Sequence, residues 1–337
     1  MDNKDKTKLQ RLCLANIPSP LIPMRGLADK TNVKSLYIKR DDLLGRILGG
    51  NKLRKLDYII PQARNEKADS LITTGSFESN HVCLTVSAAK MLGMEAGVVL
   101  MGPEGHTLKT FNEKIQRELG ATIRTVSFRE GDLKSRSHLD ERVAQQVKKL
   151  TKEFKAKGKQ PFFVPPAGCC LEGTYAFVEA FEELDSQMQA EGHHSYDIVL
   201  AVGTGSTFAG LWCGTQRSQS DVKIYGISIA RLNPRCRSET IKAAERVCSY
   251  LGLDIPKADE LNIIDEYIGD GYAKPTVWSE RAIKTALETE GLLLDHTYTG
   301  KAMGAMLMMI EKKQLGDRPV VFWHTGGVAG AIDSFGH

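Results

Sequence analysis

The run Tyr196-Asp197-Ile198-Val199-Leu200-Ala201-Val202 passes directly into Gly203-Thr204-Gly205-Ser206-Thr207 and then Phe208-Ala209-Gly210-Leu211-Trp212-Cys213-Gly214. A short apolar run ended by glycines reads as a buried strand, and the stretch after it opens a helix. Strand, glycine turn and helix N-terminus together present backbone N–H groups and hydroxyls that suit a phosphate. The same turn also works with no ligand, so taken alone it leaves both readings open. Gly203, Gly205 and Gly210 match neither G-x-G-x-x-G nor a loop ending in Gly-Lys-Ser/Thr, which disfavours a nucleotide.

This unit repeats in both directions along the chain. Strand-like runs lie at 36–39, 70–74, 97–101, 122–126, 162–164, 223–229 and 320–324. Helical stretches fall at 52–67, 79–92, 107–119, 137–157, 172–191, 206–216, 235–252, 279–290 and 299–314. Alternation of this kind predicts an α/β fold with two open, twisted, mainly parallel sheets flanked by helices. A chain of 337 residues exceeds one core and divides into two lobes with a cleft between them. The lysine-rich stretch 152–160 and the Pro/Gly loop at 165–173 mark a junction. We therefore expect a small domain over 54–165 and a large one from 1–53 plus 166–337.

Composition excludes several classes. With 42% hydrophobic and 26% charged residues the chain is an ordinary globular protein. A net charge of +4, from 45 basic and 41 acidic residues spread along the chain, offers no stripe for nucleic acid. No apolar run reaches the roughly 20 residues of a membrane span. Seven cysteines without a repeating spacing, and an N-terminus lacking an apolar signal segment, point to a reducing cytoplasm. Neither H-E-x-x-H nor paired C-x-x-C occurs, so no metal site is expected, and no G-x-S-x-G elbow marks a serine hydrolase.

Four further stretches bring polar groups to the ends of apolar segments. Gly49-Gly50-Asn51-Lys52-Leu53-Arg54-Lys55-Leu56 places Lys52 at a helix N-terminus, where the dipole disfavours an ammonium and favours a reactive amine. By position alone, Lys52 reads as an ordinary solvated lysine beside a flexible turn. Ser79 and Asn80, in Thr74-Gly75-Ser76-Phe77-Glu78-Ser79-Asn80-His81, serve either as helix caps or as ligand contacts. Leu294-Asp295-His296-Thr297-Tyr298-Thr299-Gly300-Lys301 and Trp323-His324-Thr325-Gly326-Gly327 lie where ligands gather in open α/β sheets.

Taken in order, IKRDDLLGRILGGNKLRKLDY, TTGSFESNHV, GTGSTFAGL, GDGYAKPT, LLLDHTYTGKAMG and FWHTGG resemble the D-cysteine desulfhydrase and 1-aminocyclopropane-1-carboxylate (ACC) deaminase family. These are fold-type II pyridoxal-5′-phosphate (PLP) enzymes similar to the tryptophan synthase β chain. The resemblance spans about residue 17 to the C-terminus. It implies that Lys52 is the PLP lysine, that Asn80 bonds the cofactor's phenolic oxygen, and that Gly203, Thr204, Gly205, Ser206 and Thr207 bind its phosphate. It further implies that Ser79, Tyr272 and Tyr298 face the substrate, and that the assembly is a homodimer.

Within that family two positions carry the subgroup. ACC deaminases resemble one another in a Glu after the active-site tyrosine and a Leu before the last Gly-Gly, where this chain has Thr299 and Thr325. A hydroxyl opposite the pyridine nitrogen makes a milder electron sink, which suits loss of a good leaving group such as hydrosulfide. β-Elimination from D-cysteine is thus the expectation, with ACC deamination or a lyase acting on D-serine or cysteate as alternatives. The family's Gly-Gly-Ser-Asn stands here as Ala167-Gly168-Cys169-Cys170, its Gln as Glu78, and its Arg as Cys83. A PLP-binding protein without turnover would be a different class, as would a nicotinamide oxidoreductase, which the glycine spacing disfavours.

Overall fold

The computed structural model describes residues 9–45, 49–105, 110–129 and 136–335. In the first half, β1 (Leu21–Pro23), α1 (Arg25–Thr31), β2 (Leu36–Arg40), α2 (Asn51–Asn65), β3 (Ser70–Ser76) and α3 (Asn80–Met91) are followed by β4 (Glu95–Pro103), α4 (Phe111–Glu118), β5 (Thr122–Phe128), α5 (Arg136–Ala156) and β6 (Pro161–Phe163). In the second half, α6 (Leu171–Ala190), β7 (Ser195–Val202), α7 (Ser206–Ser218), β8 (Asp221–Ser228) and α8 (Arg235–Leu251) precede β9 (Asn262–Ile264), α9 (Val277–Glu290), α10 (Thr299–Glu311), β10 (Val320–His324) and α11 (Val328–Phe335). Of the helix expected at 107–119, residues 107–109 lie outside the described set, and Thr110 caps the helix that follows.

Among the described residues the strands form two sheets, ordered β1-β2-β10-β7-β8-β9 and β5-β4-β3-β6. Only β1 runs antiparallel to its neighbour, pairing Leu21 with Lys39; the other pairs are parallel. The expected α/β architecture of two mainly parallel sheets is therefore observed. Both faces of the larger sheet are buried, which is why its central strands read as continuous apolar runs. In β10, Val321 and Trp323 join the core shared with α6 and α7, while Val320 and Phe322 join the core shared with α9 and α10. Strand β7 divides in the same way, with Ile198 and Leu200 on one face and Val199 on the other.

Helix α2, which carries Lys52, is fixed from several directions. Pro61 lies inside it and has no N–H, so the Asp57 carbonyl is released and accepts Leu12 N–H at 2.8 Å. The Asp57 carboxylate takes Leu14 N–H at 2.7 Å, binding the N-terminal segment to the helix. Arg54 donates to Asp41 and to both oxygens of Glu183 at 2.8–3.1 Å, and Lys39 reaches Glu183 at 2.5 Å and Ser19 O at 2.7 Å. No helix of the described residues is long and apolar enough to cross a membrane.

Candidate active site

The carboxyl ends of β3, β7 and β10 deliver three turns toward the N-terminus of α2. Gly50 precedes that helix at φ 144° and forms a bridge with Gly326, and Asn51 N–H donates to Thr325 O at 3.0 Å. A Cβ on Gly326 would stand 2.8 Å from Gly50 Cα, so the two glycines permit a backbone approach that no larger residue allows. On its other side, Asn51 Nδ2 donates to Thr207 Oγ1 at 3.1 Å, joining α2 to the turn after β7. Lys52 is half-buried, and its amine makes no hydrogen bond or ion pair among the described residues. Burial, followed by the charge of Lys55, holds its pKa well below the ordinary lysine value, with Cys169 opposing.

The turn after β7 has the shape of an anion cup. Gly205 caps α7 in the left-handed region at φ 82°, and no side chain accepts from the first N–H groups of that helix. A Cβ on Gly205 would meet Thr240 Oγ1 at 2.3 Å, so the close packing of α8 also requires glycine there. Ser206 and Thr207 are buried, Gly203 and Thr204 are half-buried, and Gly203 O accepts from the Arg231 guanidinium. Lys55, fully buried, donates to Ser206 Oγ at 2.5 Å and lies 5.6 Å from the centre of the Phe177 ring. Burial lowers its pKa to about 8, partly opposed by Cys169 and Cys170.

The turn after β3 supplies Ser79 and Asn80. Ser79 caps α3, accepting Val82 N–H at 3.4 Å, and Asn80 is half-buried with its Oδ1 accepting from Asn112 at 3.1 Å. His81 is fully enclosed and contacts Thr73 Oγ1 at 2.9 Å. Burial, then Lys52 and Lys55, push its pKa down to about 3, so it stays neutral. Ser76 Oγ lies 3.0 Å from Tyr272 Oη, which lies 2.6 Å from Tyr298 Oη. Burial raises the Tyr272 pKa to about 12, the bonds to Ser76 and Tyr298 lower it in part, and Glu78 adds to the rise. Tyr298 is raised by burial and by Tyr272, so both phenols keep their protons at neutral pH.

Thr299 is placed differently from Thr325. The Thr299 hydroxyl donates to Asp295 Oδ1 at 2.6 Å and accepts Asp295 N–H at 3.0 Å. Its proton is thus engaged inside the protein. Thr325 is half-buried, and its hydroxyl has no partner among the described residues.

Several residues of this constellation escaped the sequence reading: Asn51, Lys55, Ser76, Asn112, Asp295 and Lys301. Asp295 accepts N–H groups of Thr297, Tyr298 and Thr299 at 2.7–3.0 Å, which sets the first turn of α10. Lys301, fully buried, donates to Ile268 O at 2.7 Å and Gly271 O at 2.6 Å, and so holds the loop that carries Tyr272. The signal available in the sequence was spacing: Lys55 follows Lys52 by one helical turn, and Asp295 precedes Thr299 by four residues.

The arrangement fits a phosphorylated aldehyde. Lys52 offers an unpaired amine, Lys55 and the N-terminus of α7 offer cationic and N–H donors, and no carboxylate pairs with either lysine among the described residues. Buried cations without a resident counter-charge call for an exogenous anion. This combination of fold and site defines a PLP enzyme of fold type II. The pyridoxal-phosphate dependent enzyme family matches residues 12–326, and the chain belongs to that family, within its D-cysteine desulfhydrase and ACC deaminase branch. PLP is accordingly its cofactor.

A D-cysteine desulfhydrase of Salmonella paratyphi C (strain RKS4594) is 33% identical over 322 residues, covering 95% of each chain. The solved structure of an ACC deaminase homologue superposes with a TM-score of 0.84 at 31% identity, covering 96% of this chain and 93% of the other. Threonine deaminase isoform 2 of Solanum lycopersicum, at 18% identity and a TM-score of 0.62 over 93% of this chain and 84% of its own, shares the fold. The relatives support a PLP-dependent elimination.

Proposed function

We propose that the chain eliminates the β-substituent of D-cysteine, releasing hydrogen sulfide, pyruvate and ammonia. The observation that carries this reading is the unpaired, depressed-pKa amine of Lys52 beside an anion cup. Bound PLP supplies an electron sink for the charge that develops at Cα. Lys52, whose pKa burial depresses, holds the cofactor and then takes the Cα proton. Lys55, Ser206, Thr207 and the N–H groups of α7 hold the phosphate, with Gly203, Thr204 and Gly205 shaping the cup. Asn80 donates to the phenolic oxygen.

Ser79, at the N-terminus of α3, receives the substrate carboxylate, where the helix dipole favours an anion. The Tyr272 and Tyr298 hydroxyls stay protonated and face the leaving sulfur as hydrogen-bond donors. Of the two threonines, Thr325 is the one whose hydroxyl remains to meet the pyridine nitrogen, and Thr299 acts through Asp295. The lobes 54–165 and 1–53 plus 166–337 close around the substrate, in a cytoplasmic homodimer.

The test is sulfide release by PLP-loaded protein given D-cysteine and then L-cysteine, beside Lys52→Ala. Sulfide from D-cysteine that is lost in the variant supports the reading. Ammonia and a four-carbon keto acid from ACC, without sulfide from cysteine, would transfer the assignment to ACC deamination, the reading favoured by the 31% identical structural relative.

A further inference from the structure

Asn80 can donate to a bound ligand only if its amide nitrogen, and not its oxygen, faces the site. An isolated asparagine takes either orientation, because the two ends of the amide are nearly isosteric. The structure removes that freedom through a residue on a different helix. Asn112, on α4, is 1% exposed, and its Nδ2 donates to Glu78 O at 3.0 Å and to Asn80 Oδ1 at 3.1 Å. A backbone carbonyl only accepts, so the Asn112 atom facing Glu78 O must be nitrogen. The second hydrogen of that nitrogen then requires an acceptor at Asn80, which must be oxygen. Asn80 Nδ2 is thereby turned away from Asn112, with no acceptor among the described residues.

Helix α4 is itself held in place at its first turn. Thr110 Oγ1 donates to Phe77 O at 3.0 Å, and Phe111 N–H donates to the Asp333 carboxylate of α11 at 3.0 and 3.1 Å. The amide of Asn112 is therefore presented at a fixed position beside the turn that carries Ser79 and Asn80.

We propose that Asn112 is a positioning residue that sets the amide orientation of Asn80 and so makes it a donor toward the phenolic oxygen of PLP. This rests on the reading that Lys52 and Asn80 hold the cofactor. A donor there favours the deprotonated phenolic oxygen of the lysine-bound cofactor, the form that absorbs in the visible; an acceptor favours the protonated form, which absorbs in the near-ultraviolet.

Asn112→Asp keeps the size but supplies no N–H, and Asn112→Ala removes the group altogether. Both variants, and wild type, are stripped of cofactor and titrated with PLP while absorbance and affinity are recorded. We expect about tenfold weaker PLP affinity in both variants, and a transfer of intensity from the visible to the near-ultraviolet band that is larger in Asn112→Asp. A lowered unfolding midpoint with wild-type affinity and band ratio in both variants would make Asn112 merely structural and overturn the inference alone. Absence in wild type of a visible band that Lys52→Ala abolishes would overturn the underlying reading, and the inference with it.

Discussion

Replacing Glu183 by glutamine tests the electrostatic support of the Lys52-bearing helix. Glu183 Oε1 takes Lys39 Nζ at 2.5 Å and Arg54 Nη2 at 2.8 Å, Oε2 takes Arg54 Nη1 at 2.9 Å, and Ser19 N–H adds a bond at 2.9 Å. Burial alone would raise this carboxyl, but the hydrogen bonds and charges of Arg54 and Lys39 prevail and lower it from 4.5 to about 2. Because the folded pKa is depressed, the stabilisation is present above the unfolded value and is lost as pH falls through about 2. The drop corresponds to roughly 3 kcal/mol at neutral pH. Removing one member of a buried ion pair costs a similar amount, about 3–5 kcal/mol, because the partners are left uncompensated. Urea unfolding of Glu183→Gln and wild type should therefore differ by roughly 3 kcal/mol at neutral pH, narrowing to roughly 2 kcal/mol near about pH 3.5. A difference below about 1 kcal/mol at neutral pH, the value of an exposed pair, would refute the reasoning, as would a gap indifferent to pH.

Other perturbations follow from the same contacts. Lys55→Met keeps the apolar stem and deletes the charge, so PLP affinity in a fluorescence titration should fall about tenfold to a hundredfold; unchanged affinity would remove Lys55 from the phosphate site. The depressed pKa of Lys52 predicts that PLP capture by cofactor-free protein, followed by borohydride trapping, reaches half its maximum rate well below 10.5; a midpoint at 10.5 would show a solvated amine. Asp295→Asn offers one acceptor oxygen where four donors converge, so it should cost about 2 kcal/mol in urea unfolding and raise KM by displacing Tyr298; a wild-type KM would separate Asp295 from the site.

The parallel strands were legible because burial on both faces turns them into unbroken apolar runs, as in β7 and β10. β1 and β9, at three residues each, were not, since so short a strand depends mainly on the neighbour it pairs with; the equally short β6 was read from its Phe162-Phe163 run. Helices α1 and α11, at seven and eight residues, were likewise not read. At the site, the glycine turns declared themselves because backbone geometry restricts residue choice there. Lys55, Asp295 and Lys301 did not, because charged residues are ordinarily exposed, and their burial depends on acceptors and donors that only the tertiary structure supplies. Thr299 shows the converse case: its position near the site was readable, but the Asp295 carboxylate that engages its hydroxyl was not.

The placement of cations on α2 bears on how cofactor binding and folding are linked. Lys52 and Lys55 are about 60° apart around the helix, whereas Arg54 lies about 160° from Lys52. Arg54 faces Asp41 and Glu183 and is neutralised within the protein. Lys55 instead turns to the N-terminus of α7, where its hydrogen-bond partner is the Ser206 hydroxyl, and Lys52 has no partner among the described residues. Burial lowers the pKa of both lysines, which favours the uncharged, nucleophilic amine of Lys52. In the proposed reading, a dianionic phosphate at the N-terminus of α7 would offset the ammonium charge a second way, by pairing with Lys55. The same burial that disfavours two ammonium charges thus favours a reactive amine and an anionic partner, so in the proposed reading affinity and reactivity have a common electrostatic origin.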